Sequence, residues 1–140
     1  VLKEFFETYS KDLEGKTVID VSNPIAPDGN GGFKKIIGEN ESSGQILSAL
    51  VPESTKFIKA FGTLGAGSLF GASFSVPDKK VLFYAAKEAN QQVENLIENS
   101  GFDPLYVGGL DKSIRIEVFG DLHEFGGLGK TVTLNEVNRS

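Results

Sequence analysis

Two glycine-rich turns are the segments best suited to hold a phosphate group. Gly65-Ala66-Gly67, followed by Gly71, comes after a predicted strand and has the form of a dinucleotide fingerprint. Glycines in that turn let the backbone approach a pyrophosphate at a helix N-terminus. The spacing departs from the fingerprint, because Phe70 stands where the third glycine is needed and Pro77 shortens the helix that follows. We favour a flexible turn that fills a packing gap, with phosphate binding as the alternative.

The second glycine-rich turn, Gly-Gly-Leu-Gly-Lys-Thr at 126–131, looks like a nucleotide P-loop. Glu124 stands where the first glycine of that motif belongs, and a predicted helix precedes the turn where the motif needs a strand. We therefore interpret this segment as a solvated chain end.

The titratable residues offer little for acid–base or metal chemistry. The chain has no cysteine, and His123 is its one histidine, which excludes a two-histidine metal site. Asp121 and Glu124 are too close in sequence to share a helical face with that imidazole. A surface histidine is therefore favoured over a general acid or base. We assign no catalytic residue and no metal ligand.

Four of the charged residues inside predicted elements are of interest. Asp20 lies in an apolar strand, where an unpaired carboxylate is expensive, so we expect it to hydrogen-bond a neighbouring loop. Lys59 also lies in a strand, and a structural ion pair and a ligand contact are equally open for it. Arg115 and Glu117 are expected on the solvated side of the last predicted helix.

Composition indicates one globular domain over residues 1–140 and excludes several classes of protein. The net charge of −5 argues against a nucleic-acid binder, and no apolar run approaches the roughly 18 residues of a membrane span. The absence of cysteine favours a reducing compartment, so we expect a cytoplasmic protein. Because the chain begins at Val1 with helical sequence already under way, we expect a trimmed initiator or a piece of a longer protein.

Hydrophobic periodicity predicts strands that alternate with helices. The predicted strands are 17–21, 56–61, 80–86 and 105–107, and the predicted helices are 1–14, 42–51, 88–100 and 110–125, the last bent near Gly120. A short helix is also expected within 62–75, and 23–41 is expected to be a long loop. This order predicts an α/β, Rossmann-like layered fold with a mostly parallel or mixed sheet and helices on both faces. Ligands of such sheets bind beyond the carboxyl ends of the strands, which here are 22–25, 62–68, 86–88 and 108–110.

Three segments together resemble one family. The sequence Gly-Lys-Thr-Val-Ile-Asp-Val-Ser-Asn-Pro at 15–24 resembles the strand and Asn-Pro segment of the NADP-dependent deazaflavin oxidoreductases. Thr-Lys-Phe-Ile-Lys-Ala-Phe-Gly-Thr-Leu at 55–64 is similar to that family's Lys-Ala-Phe-Asn-Thr segment, with Gly62 in place of asparagine. Residues 100–117 resemble its closing Gly-Phe, Gly-x-Leu and Arg-x-x-Glu pattern. The family's N-terminal strand and glycine fingerprint are missing, so the chain resembles the C-terminal portion of such a reductase.

The resemblance implies hydride transfer between NADPH and a deazaflavin, flavin or similar flat small-molecule acceptor. It places the nicotinamide beside the residues that follow the first two strands, namely Ser22, Asn23, Pro24, Ile25, Gly62 and Thr63. It places the acceptor beside Gly108, Gly109 and Leu110. Without the pyrophosphate-binding turn, affinity for NADP should be very poor.

The absence of the family's N-terminal strands has a physical consequence for the sheet. Removing the strands that precede the 17–21 strand would leave an unpaired apolar edge, so we expect a second copy of the chain to cover it in a two-fold homodimer. The alternative to a reductase is a non-catalytic α/β module that only dimerises or binds a partner, without cofactor.

Overall fold

The computed structural model describes residues 1–138. Its strands are β1 (Thr17–Asp20), β2 (Ile25–Pro27), β3 (Phe33–Lys35), β4 (Lys56–Ala60), β5 (Val81–Ala86) and β6 (Asp103–Tyr106). Its helices are α1 (Leu2–Tyr9), α2 (Ser43–Ser48), α3 (Ala66–Ala72), α4 (Gln91–Asn99) and α5 (Leu134–Asn138), with 3-10 turns at Ser10–Leu13 and Leu110–Arg115. The predicted α/β fold is confirmed. The β2–β3 hairpin, which lies in the segment expected to be a loop, was not predicted.

Four strands form one mixed sheet in the order β1-β4-β5-β6. β1 runs parallel to β4, with Asp20 opposite Lys59, and β5 runs parallel to β6. β4 and β5 are antiparallel, because the chain between them stays at one edge of the sheet and does not cross it. The carboxyl ends of β1 and β4 therefore lie at one edge, and those of β5 and β6 lie at the opposite edge.

Both faces of the sheet are covered. All six residues of β5 are buried, as expected for a central strand with helices on either side. One face packs against α4 and α3 through a cluster that includes Ile58, Leu82, Val93 and Ile97. The other face packs against the C-terminal segment and, further along, against α1 and α2. β1 is outermost, with Thr17 exposed and Val18 and Ile19 half-buried, so the sequence interpretation of a strand buried on both faces is wrong.

The predicted helix over 110–125 is also wrong. A 3-10 turn ends at Arg115, and a series of tight turns follows, because the glycines there let backbone pack on backbone. A Cβ on Gly120 would lie 2.3 Å from the Arg115 carbonyl oxygen, and one on Gly126 would lie 2.0 Å from the Gly120 carbonyl oxygen. The 126–131 segment is accordingly not a solvated chain end at its start, and the nearby Val132 is buried in the core.

Several boundaries agree with the sequence. Ser42 caps α2 through a 3.1 Å hydrogen bond from the Gln45 amide, as its spacing predicted. Asn90 caps α4, and the Gly65 turn opens the short helix α3. Among residues 1–138, no helix is long and apolar enough to cross a membrane.

Candidate functional site

A buried ion pair joins the ends of β1 and β4. The Lys59 side chain is only 2% exposed, and its Nζ lies 2.8 Å from Asp20 Oδ2. The ammonium also donates to the Ser22 carbonyl at 2.6 Å and to Ser43 Oγ at 3.0 Å, so its three hydrogens are all used. Asp20 Oδ1 accepts from the amide and hydroxyl of Ser22. The expected loop contact of Asp20 is confirmed, and the ion-pair alternative holds for Lys59.

Glu117 is a second buried charge, held beside the first. Its carboxylate accepts from the backbone amides of Ser43 at 2.7 Å and Gly44 at 2.9 Å, and from Ser42 Oγ at 3.1 Å. Ser42 Oγ is also hydrogen-bonded to Ser113 Oγ. The sequence expectation of a solvated Glu117 is wrong, because the carboxylate satisfies amides at the start of α2. Arg115, by contrast, is exposed as expected and pairs with Asp121 at 2.8 Å.

Asn23 links three segments with its side-chain amide. Its Nδ2 donates to the Gly62 carbonyl at 3.0 Å, and its Oδ1 accepts from the Val118 amide at 2.9 Å. The chain reaches Gly62 through Phe61, whose φ is +66°. A Cβ on Gly62 would make only ordinary contacts of 3.5 Å or more, so space alone does not require glycine there. Asn23 therefore fixes the walls of the cavity beside it.

That cavity has a volume of about 760 Å³ and opens beyond the carboxyl ends of β1 and β4. Its walls are mostly apolar: Val21, Ile25, Phe33, Phe61, Leu64, Ala66, Leu69, Val118, Phe119 and Phe125. Asn23, Gly62, Gly65 and His123 complete the lining. We call it the apolar pocket. Its size and its apolar walls with few polar groups are typical of a site for a small molecule.

His123 is the titratable side chain of the apolar pocket. It is 2% exposed, so the sequence expectation of a surface histidine is wrong. Nδ1 accepts a 3.0 Å hydrogen bond from the Phe125 amide, which places the hydrogen of the neutral ring on Nε2. Burial lowers the pKa of His123 below its ordinary value of 6.5, against smaller raising effects of the Gly62 backbone, which is near the ring but outside hydrogen-bond geometry with Nε2, and of the Glu124 carboxylate. The imidazole is therefore a neutral N–H donor at neutral pH.

The N-terminus of α3 is occupied by a carboxylate of the same chain. Glu124 Oε2 accepts from the Gly65 amide at 2.8 Å, and Glu124 Oε1 accepts from the Ser68 hydroxyl. A phosphate would have to displace this carboxylate and tolerate its charge. The structure therefore favours the packing interpretation of the Gly65–Gly71 turn over phosphate binding.

The residues that the resemblance assigned to cofactor and acceptor do not all meet. Asn23, Ile25 and Gly62 line the apolar pocket, and Ser22, Pro24 and Thr63 are their chain neighbours. Gly109 and Leu110 line a separate cavity of about 920 Å³ at the opposite edge, and the Gly108 carbonyl accepts from the Ala86 amide at 3.1 Å. The expectation that both sets share one edge is wrong, because β5 runs antiparallel to β4.

In the part of the chain that the structure describes, no group of three or more His, Cys, Asp or Glu residues could hold a metal ion. The buried charged residues Asp20, Lys59 and Glu117 are instead hydrogen-bonded to other groups of the chain.

The chain matches no protein-family model and no curated protein. Among solved structures, a hypothetical protein from Sinorhizobium meliloti is similar to this chain, with 28% sequence identity and a TM-score of 0.76. The match covers 94% of this chain and 61% of that protein. An inferred F420-dependent NADP-reductase from Arthrobacter sp. FB24 is 19% identical with a TM-score of 0.62, over 76% of this chain and 49% of that one. The chain thus spans about half to three-fifths of the length of these proteins, and its α/β fold is Rossmann-like and related to that of a dinucleotide reductase.

Replacing Lys59 with methionine should destabilise the protein strongly, because Asp20 would remain buried without its cation. We expect Lys59→Met to lower the free energy of unfolding by about 3–5 kcal/mol in urea titrations. Arg115→Met, which breaks the exposed pair with Asp121, is the matched control and should cost less than about 1 kcal/mol. Equal losses in the two variants would show that the buried pair does not anchor the strands.

The lowered pKa of His123 predicts a pH-dependent stability. As pH falls through about 6.5, the unfolded chain binds a proton at this histidine before the folded chain does, so the free energy of unfolding decreases. Above that pH the histidine contributes no such dependence. Urea unfolding from pH 7 to pH 5 should therefore show a smaller loss of stability for His123→Phe than for the wild type. Parallel curves for the two proteins would contradict the buried neutral imidazole.

Proposed function

We propose that the chain is the ring-binding part of an NAD(P)-dependent oxidoreductase that transfers hydride between NADPH and a deazaflavin, flavin or similar flat acceptor. The observation that carries this proposal is the apolar pocket beyond β1 and β4. It is lined by Asn23, Ile25 and Gly62, three of the residues that the resemblance places beside the nicotinamide. The shared fold with a protein named as an NADP-reductase supports the same class of chemistry.

The residues of the pocket suit a reaction in which the protein positions rings and excludes water. NADPH supplies the hydride when it is bound, so no acid–base pair is required of the chain. Phe33, Phe61 and Phe119 offer flat surfaces for stacking, and Asn23 holds the backbone of Gly62 and Val118 in place around them. Fixing two rings face to face lowers the entropic part of the barrier.

The pocket fits the rings of the cofactor better than its phosphates. Glu124 occupies the N-terminus of α3, and its negative charge opposes a pyrophosphate there. We therefore expect weak binding of NADPH by this chain, with phosphate contacts supplied by polypeptide outside it. Because Gly108, Gly109 and Leu110 lie at the opposite edge, we place the acceptor ring in the apolar pocket together with the nicotinamide.

A second function is favoured by the outermost strand of the sheet, β1. β1 is an outer strand, and Val21, which follows it, is 58% exposed. An open strand of this kind is a template for pairing with another chain. If two copies of the chain paired through β1 and bound no cofactor, the chain would be a dimerisation module.

Two matched variants test the oxidoreductase proposal. Ala66 and Ala89 are both exposed, but Ala66 lines the apolar pocket and Ala89 lines the cavity at the opposite edge. With millimolar NADPH and FMN as the acceptor, we expect Ala66→Phe to lower the rate of NADPH oxidation about tenfold or more, because the new ring fills the pocket. Ala89→Phe should stay within about twofold of the wild type.

A low rate of NADPH oxidation in Ala89→Phe, with a normal rate in Ala66→Phe, would contradict the proposal. So would a wild type that neither oxidised NADPH nor quenched the fluorescence of FMN or NADPH. A chain that sediments as a dimer and binds neither compound would support the dimerisation module.

A further inference from the structure

Two buried side-chain atoms lack a hydrogen-bond partner within residues 1–138: Thr63 Oγ1 and His123 Nε2. Leaving a buried polar group unpaired costs about 1–3 kcal/mol. The neighbouring buried charges do not share this feature, since Lys59 and Glu117 each make three hydrogen bonds. Unpaired atoms in an otherwise satisfied region call for an explanation.

Both atoms belong to the wall of the apolar pocket or to its immediate support. His123 lines the pocket directly, and Thr63 lies between the pocket residues Gly62 and Leu64. The two segments are joined by a 2.9 Å hydrogen bond from the Glu124 amide to the Thr63 carbonyl. Unsatisfied hydrogen-bonding capacity is therefore concentrated where the pocket offers a ligand almost no other polar contact.

The chemistry of the His123 contact is set by its other nitrogen. Because Nδ1 accepts from the Phe125 amide, Nε2 carries a hydrogen and can only donate. A ligand atom that satisfies it must be an acceptor, and a neutral donor in an apolar pocket suits a carbonyl oxygen better than a charged phosphate. The Phe125 ring, which is 60% exposed, lies 5.6 Å from the imidazole and is tilted by 43° to it.

We propose that His123 is a specificity residue whose Nε2–H donates to a carbonyl oxygen on the edge of a flat ring bound in the apolar pocket. The inference rests on the proposed function, because it concerns the same pocket. The bound ring displaces the exposed Phe125 side chain from the imidazole and stacks on the apolar wall. Two rings of the proposed reaction carry such an oxygen: the pyrimidine end of a flavin-type acceptor and the carboxamide of nicotinamide.

A pair of ligands isolates this hydrogen bond. Lumiflavin and phenazine are both flat three-ring compounds, but phenazine has no carbonyl group. We expect the wild type to bind lumiflavin, and His123→Phe to weaken that binding about three- to tenfold, the value of one neutral hydrogen bond. Phenazine affinity should change less than about twofold, because stacking remains. His123→Gln, which keeps an N–H donor, should restore part of the lumiflavin affinity. Equilibrium dialysis, with the free and bound ligand measured by absorbance, gives all of these constants.

Reduced nicotinamide mononucleotide identifies the source of the oxygen. If His123→Phe weakens lumiflavin alone, the acceptor ring is the partner, and if it weakens the nicotinamide compound alone, the cofactor ring is the partner. Equal effects of His123→Phe on lumiflavin and phenazine, or no effect on either carbonyl ligand, would overturn the inference. Phenazine binding by the variant shows that the pocket is still folded.

The outcome is separable from that of the proposed function. A selective loss of lumiflavin affinity in a protein that does not oxidise NADPH would support the specificity role and refute hydride transfer. NADPH oxidation that is unchanged in His123→Phe, with unchanged affinities, would support hydride transfer and refute the role of His123.

Discussion

The interior of this protein is organised around charges that cannot be left unpaired. Lys59 and Asp20 face each other across β1 and β4, and Ser22, Ser43 and the amides that hold Glu117 complete the network. Removing one member would strand another in a low-dielectric interior, which is costly. The network therefore fixes the ends of two strands, the start of α2 and the segment around residue 117 relative to one another. Asn23 extends the same constraint to Gly62 and Val118, and these residues shape the apolar pocket.

The direction of β5 separates the two candidate cavities. Since β4 and β5 are antiparallel, the turns after β1 and β4 lie together, whereas the turns after β5 and β6 lie at the other edge. The first edge has an apolar pocket with an unpaired donor, and the second has a more polar cavity lined by Lys56, Glu88 and Asn90. Flat ring binding is consistent with the first edge. Because of this separation, we propose that the acceptor ring binds in the apolar pocket and not at Gly108–Leu110.

Residue patterns within single elements predicted much of the fold. Contacts between distant segments could not be predicted from them. The Ser42 cap, the stripe of α4 and the four sheet strands follow from residue spacing within one element. The direction of β5 does not, because it depends on how the chain between 61 and 80 packs.

Likewise, spacing near residue 117 suggested a helix, but Gly120 and Gly126 allow backbone contacts that break it. The buried states of Glu117 and His123 depend on segments more than 50 residues away: the Ser43 amide binds Glu117, and the Thr63 carbonyl holds the amide of Glu124, next to His123. Periodicity carries no information about such contacts. Asn23 and Gly62 were identified through the resemblance, which placed them at one site.

We propose that flat rings bind at the edge formed by the carboxyl ends of β1 and β4 and not at the opposite edge. Amide chemical shifts of the isotope-labelled chain, recorded while FMN is added, test it most directly. We expect the largest changes at Gly62, Val118 and Phe125, and no change at Gly109 and Asn90. Changes concentrated at Gly109, Leu110 and Asn90 would contradict it.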